Sequence, residues 1–400
     1  MRVWQAIVAF FAMALLTLPA AADSTQGITA TTITIGSIGP FSGSASGFTP
    51  LNYGAAAYLR YINDQGGVNG RKFDVIFADS ACNEAKGIAA AKKLIFEDKV
   101  FMIMSNPCSG VAMAIKPMLV QEGVPWMGAS ANPRITTPAS PGMFHTVYPG
   151  SEAGRAMATF AMSKPGTTKI ALAMHSDDWA HGYCDAASEY IKAHGGEIVA
   201  TTVLEHGATD GTAQALQIKA SGAQAVMGCL YQPELVVLLR DLEKYQINTV
   251  VVAALGADFD QVMAAFPSHD WVKQHFFQPY QFQAPIATGP LKKFHDIFVK
   301  YLTKDELPKN GVPTNFYYYG VPVAIVAVEA FRLAGPNPTR ESWEKAVESL
   351  KGFDTGVLAD TETFSADNHV GVHKMYAVGL DAQGKETVYK SWGVALPNSE

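Results

Sequence analysis

The sequence predicts an α/β protein of two doubly wound parallel-sheet lobes, joined by three crossings of the chain. Three observations predict it. From residue 33 onward, short continuous apolar runs alternate with stretches that carry apolar residues at helical spacing. That βαβ rhythm yields a parallel sheet with helices on both faces. The rhythm breaks near residues 144–150, resumes, and breaks again near 276–282. Finally, 400 residues are too many for one ordinary core.

Residues 1–22 read as a secretory signal. Arg2 supplies the positive start, residues 7–18 are apolar, and Leu18-Pro-Ala-Ala-Ala22 offers a small-residue cleavage site before Asp23. That stretch is short for a membrane span, and no other segment reaches about 18 uninterrupted apolar residues. The mature chain is therefore expected to be soluble and exported. No Cys stands at the cleavage point to carry a lipid.

The first lobe starts with a strand over 33–38, ending in the loop Gly39-Pro-Phe-Ser-Gly-Ser-Ala-Ser-Gly47. The next helix shows Leu51, Ala55, Tyr58, Leu59 and Ile62 on one face and stops at Gly66-Gly67. A strand over 73–78, a helix over 85–96 and a strand over 100–104 follow. Then comes a helix with Val111, Ile115, Met118 and Leu119 on one side, which Pro117 is expected to kink. A fourth strand covers 125–128. Residues 144–148 read as the first crossing.

The second lobe repeats the pattern. Helices are expected near 154–162, 179–193, 212–220 and 234–245, with strands over 169–174, 198–204, 223–230 and 249–255. The aromatic, Pro-containing run at 276–282 reads as the second crossing, and helices near 289–303, 313–334 and 340–350 return to the first lobe. The tail, 375–380 and 387–392 around Asp381-Ala-Gln-Gly384, reads as a hairpin on the second lobe. The expected division is 31–146 with 283–358 against 147–282 with 359–395. Three connections let two lobes open and close about a hinge.

Function is expected at two neighbouring β→α turns of the first lobe. Asn106-Pro-Cys-Ser-Gly110 follows one strand and Ala129-Ser-Ala-Asn-Pro133 follows the next. In open α/β sheets ligands bind at the carboxyl ends of the strands. Small residues there let an anion reach backbone N–H groups at a helix start, and Ser109 and Ser130 add hydroxyls. Ser109 also suits a plain N-cap; the second such turn beside it favours a site.

Composition narrows the partners. A net charge of −6 with both signs scattered argues against nucleic acid and against a polybasic membrane surface. Cys82 and Cys108 follow successive strands at one sheet edge, which predicts a disulfide closing a loop of about 26 residues, worth roughly 3.5 kcal/mol. Cys184 and Cys229 are equally compatible with a bridge or with two buried thiols. Catalytic signatures are lacking: the glycines at 36, 39 and 43 have the wrong spacing for a dinucleotide loop, and there is no Walker A sequence or Gly-x-Ser-x-Gly elbow. His175 and His181, six apart, do not match common zinc pairs. No enzyme, cofactor or metal site is expected.

Asn63-Asp-Gln-Gly-Gly-Val-Asn-Gly-Arg71 resembles the N-x-x-G-G-(I/V)-x-G-(R/K) signature of type I periplasmic solute-binding proteins, the leucine/isoleucine/valine-binding group serving ABC importers. The start Ile33-Thr-Ile-Gly36, the Ser42-Gly43 loop, Ser130-Ala-Asn-Pro-Arg-Ile-Thr136 and Asp177-Asp-Trp-Ala-His-Gly182 fit in the same order, so the likeness runs from about residue 31 to the end. It implies two Rossmann-like lobes joined by three crossover strands. It also implies a monomer in the periplasm, a small-molecule ligand in the interlobe cleft, and a membrane permease as partner. Ser109 and the turn Ala129, Ser130, Ala131 match the family's carboxylate-binding positions, and His181 and Tyr231 fall where ligand contacts are common.

One departure bears on the ligand. The aliphatic amino-acid binders hold the α-ammonium with a Glu after the strand matching 249–255, where this chain has Leu255. A buried ammonium without a carboxylate costs several kcal/mol. Asp258 could replace that Glu if its loop bends inward; the commoner use of such an Asp is a helix N-cap. Phe48, Tyr53, Trp179, Tyr231, Tyr280 and the run Phe316 to Tyr319 are candidate cleft aromatics, suited to a planar apolar body, although packing claims most rings at helical spacing. The expected ligand is a carboxylate with an aromatic or other apolar body. A branched-chain or other amino acid is the alternative, and a ligand sensor for a signalling partner the third reading.

Overall fold

The computed structural model describes residues 24–266, 270–282, 291–308, 311–372, 374–380 and 386–395. The expected signal at 1–22, the lobe boundary at 283 and the turn at 381–384 lie outside the described residues.

In the first lobe the order is β1 (Thr32–Gly39), α1 (Thr49–Asp64), β2 (Lys72–Asp79), α2 (Glu84–Lys92), β3 (Met102–Met104), α3 (Ser109–Gln121), β4 (Trp126–Gly128) and β5 (Met143–His145). The five strands form one sheet in the order β2-β1-β3-β4-β5, all parallel. The second lobe contains α4 (Gly150–Met162), β6 (Lys169–Met174), α5 (Asp178–Ala193), β7 (Glu197–Val203), α6 (Thr212–Ser221), β8 (Ala225–Cys229) and α7 (Gln232–Lys244). It continues with β9 (Val250–Ala253), α8 (Phe259–Ala264), α9 (Asp270–His275) and β10 (Phe276–Tyr280). Then α10 (Lys292–Tyr301), α11 (Asn315–Ala334) and α12 (Arg340–Glu348) return to the first lobe, where α10 and α11 pack on α1. Finally β11 (Lys374–Leu380) and β12 (Glu386–Ala395) close the second sheet, ordered β12-β11-β10-β9-β8-β6-β7.

The Asn63–Arg71 signature has a physical reading. Gly66 and Gly67 end α1 with φ of 98° and 77°, and a Cβ on Gly67 would lie 2.0 Å from the Arg71 carbonyl oxygen. Asn63 accepts from the Phe73 N–H at 2.7 Å and donates to its carbonyl at 2.8 Å, which pins the helix end to β2. Only a backbone that turns this sharply feeds α1 directly into the parallel edge strand.

Two breaks in the rhythm are shifted. Residues 143–145 are not a crossing but the edge strand β5, paired with β4; the chain leaves the sheet only at 146–149. Residues 276–280 likewise form β10. It pairs with β9 through Phe276 and Phe277 and with β11 through Gln278 to Tyr280, so Pro279, which lacks an N–H, lies beyond the β9 ladder. The aromatic content hid strands that are buried on both faces. α3 continues past Pro117 to Gln121.

The segments that join the lobes bond to one another. Gly371 N–H donates to the His145 carbonyl at 2.9 Å and Ala359 N–H to that of Gln281 at 2.7 Å. Cys82 and Cys108 are bridged, tying the turn after β2 to the start of α3. Cys184 and Cys229 are bridged as well, joining α5 to the end of β8.

Candidate functional site

The two β→α turns of the first lobe do meet, and each serine hydroxyl bonds to the backbone of the other turn. Ser109 Oγ accepts from the N–H groups of Ala131 and Asn132 at 3.1 and 3.2 Å. Ser130 Oγ donates to the Asn106 carbonyl at 2.7 Å. Both serines are buried. The expectation that they point into a cleft is therefore corrected: they bolt the turns together. Of these two turns, Pro107 and Ala129 border the gap.

Between the lobes lie two cavities that share Phe48 and Phe316. The inner one, about 30 Å³, is bounded by Leu51, Pro107 and Ala129 of the first lobe and by Trp179, Tyr183 and Leu255 of the second. Tyr319 closes it from α11 and Val147 and Tyr148 from the first crossing. None of these lining residues is charged. The outer one, about 450 Å³, is lined by Tyr53, Tyr231, Gln232 and the 305–308 segment, among others. Ligand pockets fall at about 300–1,000 Å³, so the outer cavity has ligand size. The inner one holds about one water, and a larger guest needs Phe48 or a lobe to move. Phe48 bridges the lobes, with ring centroids 4.9 Å from Tyr231, 6.4 Å from Trp179 and 5.2 Å from Phe316. Another cavity, about 470 Å³, lies away from the strand ends, among α1, α10 and α11, and includes none of these residues.

The sheet edge of the second lobe explains how its aromatics are held. Asp177 caps α5 by accepting from the Ala180 N–H at 2.8 Å, and its other oxygen lies 3.1 Å from His206 Nε2 and 3.5 Å from the Tyr231 hydroxyl. Burial would raise the Asp177 carboxyl, but the His206 and Ala180 N–H hydrogen bonds hold it below the usual carboxylate range. His175 donates from Nδ1 to the Leu204 carbonyl at 2.7 Å and accepts at Nε2 from the Tyr231 N–H at 2.9 Å. Both its nitrogens are committed, and burial keeps it neutral.

Residues 32–385 match the family described as periplasmic binding protein. The chain belongs to that family. An amino acid binding protein of Pseudomonas aeruginosa is 25% identical over 243 residues, 60% of this chain and 65% of the relative. Leu/Ile/Val-binding protein homolog 3 of Brucella melitensis is 26% identical over 226 residues, 56% and 61% of the two chains. The matches thus span less than two thirds of these curated relatives. Among solved structures, a branched chain amino acid ABC transporter protein from Thermus thermophilus with bound valine has a TM-score of 0.82 at 19% identity, covering 90% of this chain and 96% of the other. A solute binding protein from R. palustris in complex with 4-hydroxybenzoate has a TM-score of 0.76 at 20% identity, covering 91% and 97%. At such identities the likeness is one of fold.

Within this periplasmic binding protein, the remaining residues singled out from sequence sort as follows. Ala129, Phe48 and Tyr319 border the inner cavity and Tyr231 the outer one. Ala131 is buried, and its carbonyl accepts from Gly150 N–H across the first crossing. His181 is displaced from the site: it lies on the outer side of α5, half exposed, 3.1 Å from Asp185. Helical phase puts Trp179 and Tyr183, four apart, on the cleft face instead. Asp258 does not reach the cavity either. Its Oδ1 accepts from Gln261 N–H of α8 at 3.1 Å and its Oδ2 from Asn315 N–H of α11 at 2.5 Å. It caps two helices, one from each lobe, and leaves Leu255 as the wall. Pro107 belongs to the turn singled out from sequence; Leu51, Val147, Tyr148 and Tyr183 were not singled out as site residues. Of these only Tyr183 had a usable signal, its spacing from Trp179.

Proposed function

We propose that this chain is the extracytoplasmic solute-binding component of an ABC importer. It takes a small carboxylate with an aromatic or other apolar body between its lobes. The observation that carries this reading is the uncharged inner cavity, with Leu255 where amino-acid binders of the family place a Glu. An α-ammonium there would be stripped of water without a partner, which costs several kcal/mol, whereas a ring or alkyl chain would lie among Phe48, Trp179 and Tyr319. The carboxylate would lie beside Pro107 and Ala129, on the side of the start of α3. The R. palustris protein that holds 4-hydroxybenzoate shares this fold and supports the choice. Two disulfides fit an oxidising, periplasmic compartment. The chain performs no chemistry on the solute, and its closed shape would be what the permease reads.

The second reading, a branched-chain amino acid, is favoured by the names of the curated relatives and by valine in the T. thermophilus structure. A thermal-shift and calorimetric panel of leucine, valine, benzoate, 4-hydroxybenzoate and medium-chain fatty acids separates the two. An acid without an ammonium should raise Tm and leucine should not. Tight leucine binding would overturn the first reading in favour of the second. Compaction in small-angle scattering with the ligand that binds tests closure.

A further inference from the structure

The Asp177–His206 contact lies behind the aromatic wall. The His206 ring stands 4.0 Å from that of His175 and 4.8 Å from that of Tyr231, and the Tyr231 ring is 4.9 Å from both Phe48 and Trp179. Tyr231 is therefore held at its backbone by neutral His175, and its hydroxyl makes a long, 3.5 Å contact with Asp177. Solvent reaches this cluster at the contact itself, where the His206 and Asp177 side chains are each about one third exposed. We propose that His206 and Asp177 are a positioning pair for Tyr231, and that protonation of His206 sets the placement of this wall and so makes solute affinity depend on pH. This rests on the solute-binding reading of the cleft.

The groups that face His206 are Asp177 at the start of α5, Glu234 on α7, Glu205 beside it, His175 after β6, and the Tyr231 ring. Three of them are carboxylates. The hydrogen bond to Asp177 raises the imidazole above its ordinary value, with burial opposing and Glu234 and Glu205 adding. A raised value in the folded state means the charged pair is fully present below the unfolded value, about 6.5, and is lost as pH rises through the folded one. A metal ion is a poorer occupant of the His175, His206 and Glu234 cluster, because the His175 Nε2 lone pair already accepts from Tyr231. Glu234 is engaged too, accepting from the Gly207 N–H at 2.6 Å.

The test uses the whole mature protein with ¹³C-labelled tyrosine and histidine. His206 should titrate above 6.5 and fall to or below it in Asp177→Asn. The Tyr231 ring resonance, assigned by its loss in Tyr231→Phe, should move with the same midpoint and stay fixed in His206→Gln. Benzoate, ionised throughout the range, should bind roughly three- to fivefold tighter at pH 6.0 than at pH 8.5, a gain the size of a charge-assisted hydrogen bond weakened by partial exposure, and equally at both in His206→Gln. A Tyr231 resonance that does not move between about pH 5.5 and 8.5, or that moves equally in His206→Gln, overturns the proposal. Absence of benzoate binding counts against that solute alone, since the tyrosine resonance still decides the pair.

Discussion

Replacing Leu255 with Glu puts a carboxylate on the wall of the inner cavity and, on the proposed reading, should exchange one ligand class for the other. The new carboxylate would enter a cavity lined by Phe48, Leu51, Trp179 and tyrosines, with no cation on its walls. The tyrosine hydroxyls soften the burial, so the loss in stability is about 2–4 kcal/mol, or about 4–8 °C in Tm on the scale of a large domain. A bound aromatic acid would then hold its own carboxylate close to the introduced one. At an effective dielectric near 20, two unit charges about 6 Å apart repel by about 2.8 kcal/mol, roughly a hundredfold in Kd. Leucine gains the missing partner for its ammonium. Calorimetry on the wild type and on Leu255→Glu with 4-hydroxybenzoate and with leucine measures both arms. An acid affinity that is unchanged in the variant, or micromolar leucine binding by the wild type, refutes the assignment of Leu255 as the selecting wall.

Asp258→Ala removes the acceptor for the first turns of α8 and α11; urea unfolding should show a loss of about 2–3 kcal/mol, and a loss under about 0.5 would mean neither cap matters. Breaking the Cys184–Cys229 bridge with Ser at both positions opens a loop of 45 residues, for which the chain-entropy model gives about 4 kcal/mol; calorimetry should find a loss of about 2–4 kcal/mol, with no further change on adding reductant beyond that of the other bridge. His145 is fully buried in β5 and pushed down to about 3 by burial. Its depressed value means the unfolded chain takes up the proton first, so stability falls as pH drops below about 6.5, by about 2 kcal/mol at pH 5. His145→Gln should flatten that part of the stability curve; an unchanged slope would show that the group is not buried in solution.

The alternation of apolar runs was enough to read both sheets, because strands buried between helix layers are continuous in hydrophobicity and their helices are not. It was enough, too, for the Cys82–Cys108 bridge, since the two residues follow strands successive in the chain, β2 and β3, which end at one sheet edge on either side of β1. It failed at β5 and β10, where aromatic and proline residues stand in strands whose pairing is supplied by distant parts of the chain. It also left Cys184 and Cys229 open, because a helix residue and a strand end reveal their separation only after packing.

Sequence by itself determined the two parallel-sheet halves and the β→α turns, which are consequences of local pattern; Leu255 as the counterpart of the amino-acid binders' Glu came from the family resemblance. Tertiary structure alone decided where each polar group points. Ser109 and Ser130 each bond to the backbone of the opposite turn, Asp258 reaches the start of a helix in the other lobe, and His181 faces water while Trp179 and Tyr183 face the cleft. The physical reason is that a hydroxyl or carboxylate takes whichever donor or acceptor folding brings within about 3 Å, and a separation in space is not written in a separation along the chain.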